Sequence, residues 1–262
     1  MATITMEIPG VSNATIPTSK PTDWRIGTVT QIRPEAPGVR SFMFNFDAPV
    51  QHDAGQHYEI RLTAPDGYQA ARLYSAATPA NGTGTMLQLT IALMPDGEVS
   101  PYLFHNVNLG DQLEIRGPLG RYFTWTPEDT KPVLLIGGGV GTAPLRAIRL
   151  AHQQCCATTP LRLLYSVKTY ADTLYKYELF PTGGQPSEDV IMTFTDHAPK
   201  GWSGYARRID DAMLEEVLAA YPEPPAVYVC GPTPMVEAVA TALVAVGIGP
   251  NTIKAERFGS TA

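Results

Sequence analysis

Cysteine is scarce in this chain of 262 residues. Cys155, Cys156 and Cys230 are too few for a disulfide framework or a four-thiolate iron–sulfur centre, and we read them as reduced thiols. No apolar run reaches the roughly 20 residues of a membrane-spanning helix. The sequence opens with neither a basic segment nor an apolar stretch ending in a cleavage site, so stable membrane insertion is not expected and the cytoplasm is the expected compartment. Lys and Arg number 19 against 25 Asp and Glu, a net charge of −6 without a long basic run, which removes the electrostatic footprint of a nucleic-acid surface. No Gly-Lys-Ser/Thr follows a glycine turn and no Gly-x-Ser-x-Gly occurs, which excludes a P-loop and a nucleophile elbow. His52, His57, His105, His152 and His197 lack metal-ligand spacing, so no metal site is expected. Asp210-Asp211 and Glu215-Glu216 fit the first turn and solvated face of a helix.

What is present changes period halfway. Residues 1–20 are rich in Thr, Pro, Ser and Ala without a sustained period and read as a loose arm. Over residues 21–128, segments at Trp24–Thr30, Val39–Phe46, His57–Leu62, Met86–Ile91 and Gln112–Arg116 alternate with period two between Gly- and Pro-containing turns. They predict a small antiparallel barrel or sandwich. Over residues 129–262, buried strands at Val133–Ile136, Leu161–Val167, Val190–Thr195, Ala226–Cys230 and Asn251–Ala255 alternate with helices. The helices are expected after Ala143 and over Leu174–Phe180, Asp210–Ala220 and Pro234–Val246, which implies a parallel sheet covered on both faces.

The stretch Lys131–Leu145 organises the second half, since strand, glycine turn and helix begin a nucleotide-binding unit. Gly139 and Gly141 fit the first two positions of the dinucleotide fingerprint, but Pro144 stands at the third. The second strand ends Tyr165-Ser166-Val167-Lys168, without the acid that holds the ribose hydroxyls of NADH. Ser166 and Lys168 suit a 2′-phosphate, with Tyr175 or Tyr177 available to stack on adenine; the alternative is a solvated lysine. Cys230-Gly231-Pro232-Thr233-Pro234-Met235 closes the fourth strand, where Cys230 either meets a ligand or is inert core. In the first half, Arg72-Leu73-Tyr74-Ser75 offers a guanidinium fork and a hydroxyl for a phosphate and a ring for a planar group. Gly97-Glu98-Val99-Ser100 reads as a helix start able to bind the same phosphate, or as a routine start with Ser100 as cap.

Taken together, Arg72–Ser75, Gly97–Ser100, Gly117-Pro118-Leu119-Gly120, Gly137–Pro144, Cys230–Met235 and Glu256-Arg257-Phe258-Gly259 occur in the order of the ferredoxin–NADP reductase superfamily, and Trp24–Phe258 resembles it throughout. The resemblance implies a β plus α/β fold, in which a six-stranded antiparallel Greek-key flavin-binding barrel precedes a parallel-sheet α/β nicotinamide-nucleotide domain. It implies FAD rather than FMN, with NADPH or NADH as hydride donor. By this resemblance Arg72 would hold the flavin phosphate, Tyr74 would pack on the isoalloxazine beside Leu73, and Ser75 would bond near N5. Val99 and Ser100 after Gly97 would take the pyrophosphate, and Thr90 and Ile91 would line the flavin site. Gly138, Gly139, Gly141, Thr142 and Pro144 would shape the nucleotide pyrophosphate site. Cys230, with Gly231, Pro232 and Met235, would lie by the nicotinamide, and Phe258 would shield the flavin. Ser75, Cys230 and Phe258 are thus the residues expected at the reacting atoms. Ala143, where NADH-using relatives carry Thr, joins Ser166 and Lys168 in favouring NADPH. The activity expected is hydride transfer from NAD(P)H to flavin and electron delivery to a separate acceptor such as a ferredoxin, flavodoxin or oxygenase component, by a monomer or weak dimer. The rivals are a reductase of free flavin or small oxidants, a redox-inactive flavin-binding regulatory subunit, and a plain nucleotide-binding scaffold.

Overall fold

The computed structural model describes residues 23–81, 83–181 and 185–258. The expected arm and the segment after Phe258 lie outside the described residues.

The first half holds strands β1 (Arg25–Ala36), β2 (Val39–Asn45), β3 (Gln51–His52), β4 (His57–Thr63), β5 (Gln69–Ser75), β6 (Ala80–Asn81), β7 (Met86–Ala92) and β8 (Gln112–Leu119), with helix α1 (Val99–His105). Six of these strands form one antiparallel sheet in the order β5-β4-β8-β1-β2-β7, and β3 pairs with β6 as a short ribbon. The sheet curls until its ends meet, through a bridge between Ala76 and Leu89 and a 2.9 Å hydrogen bond from Ala77 N–H to the Gln88 carbonyl. Closure removes the sheet edges there. Phe42, Phe44, Ile60, Leu87, Leu89, Ile91 and Ile115 fill the interior, with Leu103 of α1 packed among them. Strand β1 outruns the expected Trp24–Thr30. β-Bulges between Val29 and Gln31 and between Pro34 and Ala36 break the period-two pattern while pairing with β2 continues.

The second half is β9 (Val133–Gly138), α2 (Thr142–Gln154), β10 (Leu161–Thr169), α3 (Lys176–Leu179), β11 (Val190–His197), α4 (Asp211–Leu218), β12 (Ala226–Pro232), α5 (Thr233–Ala245) and β13 (Ile253–Phe258). The five strands are parallel in the order β11-β10-β9-β12-β13. Val133 and Leu135 pack on the α2 side, and Leu134 and Ile136 on the α4–α5 side. Covered on both faces, these four are fully buried, each burial stabilising the fold by about 1.5–3 kcal/mol. Asp210 caps α4 by accepting from Met213 N–H at 2.8 Å.

Two expected spans shift for local reasons. The helix expected over Leu174–Phe180 shrinks to one turn because Tyr175 has φ +54°, a left-handed conformation that cannot continue it and costs about 1–2 kcal/mol in a non-glycine residue. The last strand begins at Ile253, after a turn at Pro250–Thr252, and runs to Phe258 by pairing with β12. This pairing sets Phe258 beside Pro232.

Candidate functional site

The chain leaves β9, builds outward through β10 and β11, then returns to the other side of β9 with β12 and β13. The reversal opens a crevice at the carboxyl ends of β9 and β12, where ligands of parallel sheets bind. Residues Gly139–Gly141 form a single tight turn there, leading directly into α2. Gly139 has φ +53° with open space where a Cβ would stand, so its backbone can face a ligand. Gly141 is held for closeness, since a Cβ there would lie 2.4 Å from the Cys230 carbonyl oxygen. Pro144 falls in the first turn of α2, where an N–H has no intrahelical partner and proline costs no hydrogen bond. That explains how the fingerprint's third glycine is dispensable.

Two cavities adjoin this turn and share Val140. The first, about 310 Å³, lies between the barrel and the parallel sheet, lined among others by Arg72, Tyr74, Ser75, Thr90, Val99 and Phe258. Leu73, Gly97 and Ser100 also line it. Ile91 does not: it is fully buried in the barrel core, so the expectation of Ile91 at the ligand is corrected. Ser100 is not the cap of α1; its hydroxyl accepts from Met94 N–H at 3.0 Å. Burial pushes the Tyr74 phenol up to about 12. The Ser75 hydroxyl is buried on this wall with no hydrogen-bond partner among the described residues, a costly state unless a ligand satisfies it. Arg72 reaches Glu98 at 3.2 Å, and Glu98 accepts from Tyr68 at 2.6 Å. Both ends of that ion pair are exposed, so it contributes about 0–1 kcal/mol and yields readily to a phosphate.

The second cavity, about 470 Å³, is lined by Gly138, Gly139, Ser166, Lys168, Thr195, Arg208, Pro232 and Met235 among others. It follows the ends of β9, β10 and β11. Arg208 was not among the expected residues. Its neighbour Arg207 is occupied by Asp210 at 2.7 Å, whereas the side chains of Lys168 and Arg208 carry no ion pair among the described residues. Asp172 also lines the wall, but its carboxylate accepts from the Thr169 N–H at 3.0 Å and hydroxyl at 2.7 Å. The signal that could have found Arg208 is an arginine doublet in the loop between β11 and α4.

Other expected residues lie off both walls. Gly141, Thr142, Pro144, Cys230 and Gly231 support the turn from behind. Burial, with the Glu256 charge adding to it, raises the Cys230 thiol well above its ordinary range. Tyr175 does not stack at the adenine end. It is buried, its ring is covered by the Arg146 guanidinium at 4.6 Å, and its hydroxyl bonds Thr90 at 2.8 Å. Tyr177 points into solvent, 96% exposed. Glu256 was missed by the sequence reading. It pairs in register with Cys230, and burial lifts its carboxyl to about 7.

Family models place these features together. Residues 27–124 match an oxidoreductase FAD-binding domain and residues 135–241 an oxidoreductase NAD-binding domain. The chain is 30% identical to NADH-cytochrome b5 reductase 1 of Candida albicans over 79% of its length and 71% of that protein's. It is 28% identical to the glycine betaine monooxygenase reductase subunit of Chromohalobacter salexigens over 85% of its own length, and spans 61% of that relative. The solved cytochrome P450 reductase of Amycolatopsis is 26% identical, superposing with a TM-score of 0.74 over 92% of this chain and 71% of that one. The partnerless Ser75 hydroxyl and the open backbone of Gly139 fit a flavin in the first cavity and a nucleotide in the second. The chain belongs to the ferredoxin–NADP reductase superfamily and is an NAD(P)H-dependent flavoprotein reductase that uses FAD.

Proposed function

We propose that this reductase draws hydride from NADPH in preference to NADH and passes electrons to a separate acceptor protein, an oxygenase component or an electron carrier. The observation that carries the reading is the meeting of the two cavities at Val140, one holding the unsatisfied Ser75 hydroxyl and the other the unpaired Lys168 and Arg208. When bound, FAD supplies a two-electron acceptor and the nicotinamide supplies the hydride.

The residues do the positioning. Arg72 would exchange Glu98 for the flavin phosphate, Tyr74 would lie on the ring, and the α1 N-terminus at Val99 and Ser100 would offer backbone N–H groups to the pyrophosphate. Ser75 would hydrogen-bond the ring edge. Gly138 and Gly139 would meet the nucleotide pyrophosphate, with Thr142 and Pro144 fixing the turn. Cys230 would act from behind, shaping the nicotinamide end and remaining a neutral thiol. Phe258 would cover the first cavity and exclude water until the nicotinamide arrives.

The NADPH preference rests on charge. In a protein of net charge −6, Lys168 and Arg208, neither with an ion-pair partner among the described residues, outnumber the one carboxylate, Asp172, on the wall of a concavity at the ends of β10 and β11, the adenosine side of the switch point. A 2′-phosphate neutralises them, and a ribose hydroxyl does not. Acceptance by another protein is supported by the glycine betaine monooxygenase relative, which is a reductase subunit.

Anaerobic stopped-flow reduction with NADPH and NADH in parallel tests this reading. Faster or tighter reduction by NADPH is expected. A clear NADH preference would overturn the cofactor assignment, and failure of both nucleotides to bleach the flavin would overturn the function.

A further inference from the structure

A buried polar chain crosses between the two halves of the molecule and ends on the wall of the first cavity. Tyr175 lies between β10 and α3, on the nucleotide side, yet its phenol reaches Thr90 of the barrel at 2.8 Å. Thr90 Oγ1 is 2.8 Å from Ser41 Oγ, and Ser41 donates to Glu35 Oε1 at 2.7 Å. Gln88 Nε2 donates to Ser41 as well, at 3.1 Å. Glu35 also receives the Tyr175 backbone N–H at 3.2 Å and pairs with Arg33 at 2.7 Å.

Proton accounting gives this chain one direction. The carboxylate only accepts, so the single Ser41 proton goes to Glu35. The Thr90–Ser41 contact therefore uses the Thr90 proton, and Tyr175 is left as the donor to Thr90. Burial raises the Tyr175 phenol above its ordinary range, so it keeps the proton it donates. With its hydrogen directed at Ser41, Thr90 meets the cavity only as a hydrogen-bond acceptor.

Other contacts hold Tyr175 in place. Its left-handed backbone aims the ring inward, and Arg146 covers one ring face while donating to the Ala77 carbonyl at 2.8 Å and pairing with Glu178 at 2.7 Å. A strained tyrosine buried among these bonds is fixed by its surroundings.

We infer that Tyr175 is a positioning residue: by donating to Thr90 it ties the nucleotide side to the flavin cavity and pins the Thr90 hydroxyl in the orientation in which its proton goes to Ser41 and its remaining lone pair is left for a ring N–H of the bound flavin. The inference rests on the flavin reading given above. It goes beyond that reading by assigning a residue that touches neither cavity wall.

The test is Y175F, which keeps the ring beneath Arg146 and deletes only the donor, beside S41A, which frees the Thr90 proton to turn into the cavity. For the FAD-loaded full chain, each variant is expected to shift the flavin absorption band and midpoint potential. In Y175F the limiting rate of reduction should fall by roughly tenfold while the nucleotide dissociation constant stays within about twofold. Wild-type spectra, potential and limiting rate in both variants would overturn the inference. If Y175F does not fold, an unshifted S41A potential overturns it and a shifted one supports it. A wild-type chain that takes up no FAD would sink the flavin reading alone. The hydrogen-bond chain would then be read from denaturant midpoints of the purified full-length variants, where non-additive effects of Y175F and S41A support it and additive effects overturn it.

Discussion

The first cavity is walled by barrel strands and the start of α1, and its decisive polar group is a buried hydroxyl without a partner among the described residues. The second cavity is larger, follows three parallel strand ends, and carries exposed cations instead. A buried hydroxyl waits for one fixed acceptor and costs stability until it is met, which suits a cofactor that stays. Exposed cations cost little when empty and discriminate by charge, which suits a nucleotide that exchanges. The difference teaches that retention and selectivity are built separately, on either side of Val140.

Four variants break or sharpen that contrast. The largest effect is expected from Arg72→Ala, which should weaken FAD binding about a hundredfold, or roughly 3 kcal/mol for two charge-assisted bonds, with nucleotide affinity unchanged. Fluorescence titration of FAD measures it, and wild-type affinity would remove Arg72 from the flavin side.

Glu256→Gln comes next. A carboxyl raised to about 7 from 4.5 by burial favours folding in its neutral form. Its stabilising contribution is full below pH 4.5 and is lost as pH rises through 7. The wild-type unfolding free energy should therefore fall relative to the Gln variant over that interval, by at most about 3 kcal/mol and by less to the extent that solvent reaches the group. Parallel pH profiles of the two proteins would contradict the assignment.

Lys168→Ala combined with Arg208→Ala should raise the KM for NADPH about tenfold and leave that for NADH nearly unchanged, a loss of about 1.4 kcal/mol. Equal losses for both nucleotides would mean that the cations serve the pyrophosphate. The smallest effect is expected from Ser75→Ala. Deleting an unsatisfied buried hydroxyl should stabilise the flavin-free chain by about 1 kcal/mol while slowing reduction of the loaded one. Destabilisation without flavin would show that the hydroxyl has a partner after all.

The sequence made much of this legible, for local reasons. Val133–Ile136 is apolar without interruption because β9 is covered on both faces, and the motifs from Arg72 to Met235 fall in chain order within or between the segments that match the FAD-binding and NAD-binding models. Period-two reading could not follow β1 past its bulges. Pro144 looked like a defect because a fingerprint records residue types, whereas the helix start requires only a position whose N–H is free. Glu256 and Tyr175 were illegible or misassigned because their roles depend on partners distant in sequence, and Arg208 because it reaches the cavity from a long loop after β11. Tyr175 meets Thr90 across 85 positions, and Glu256 meets Cys230 by strand register.

The central claim is that the two cavities bring a nicotinamide and a flavin into direct contact at Val140. Anaerobic single-turnover reduction with NADPH deuterated at one or the other face of C4 tests it most directly. The account predicts that flavin bleaching slows with deuterium on one face only; bleaching insensitive to deuterium on either face in a rate-limiting transfer, or no bleaching at all, would contradict it.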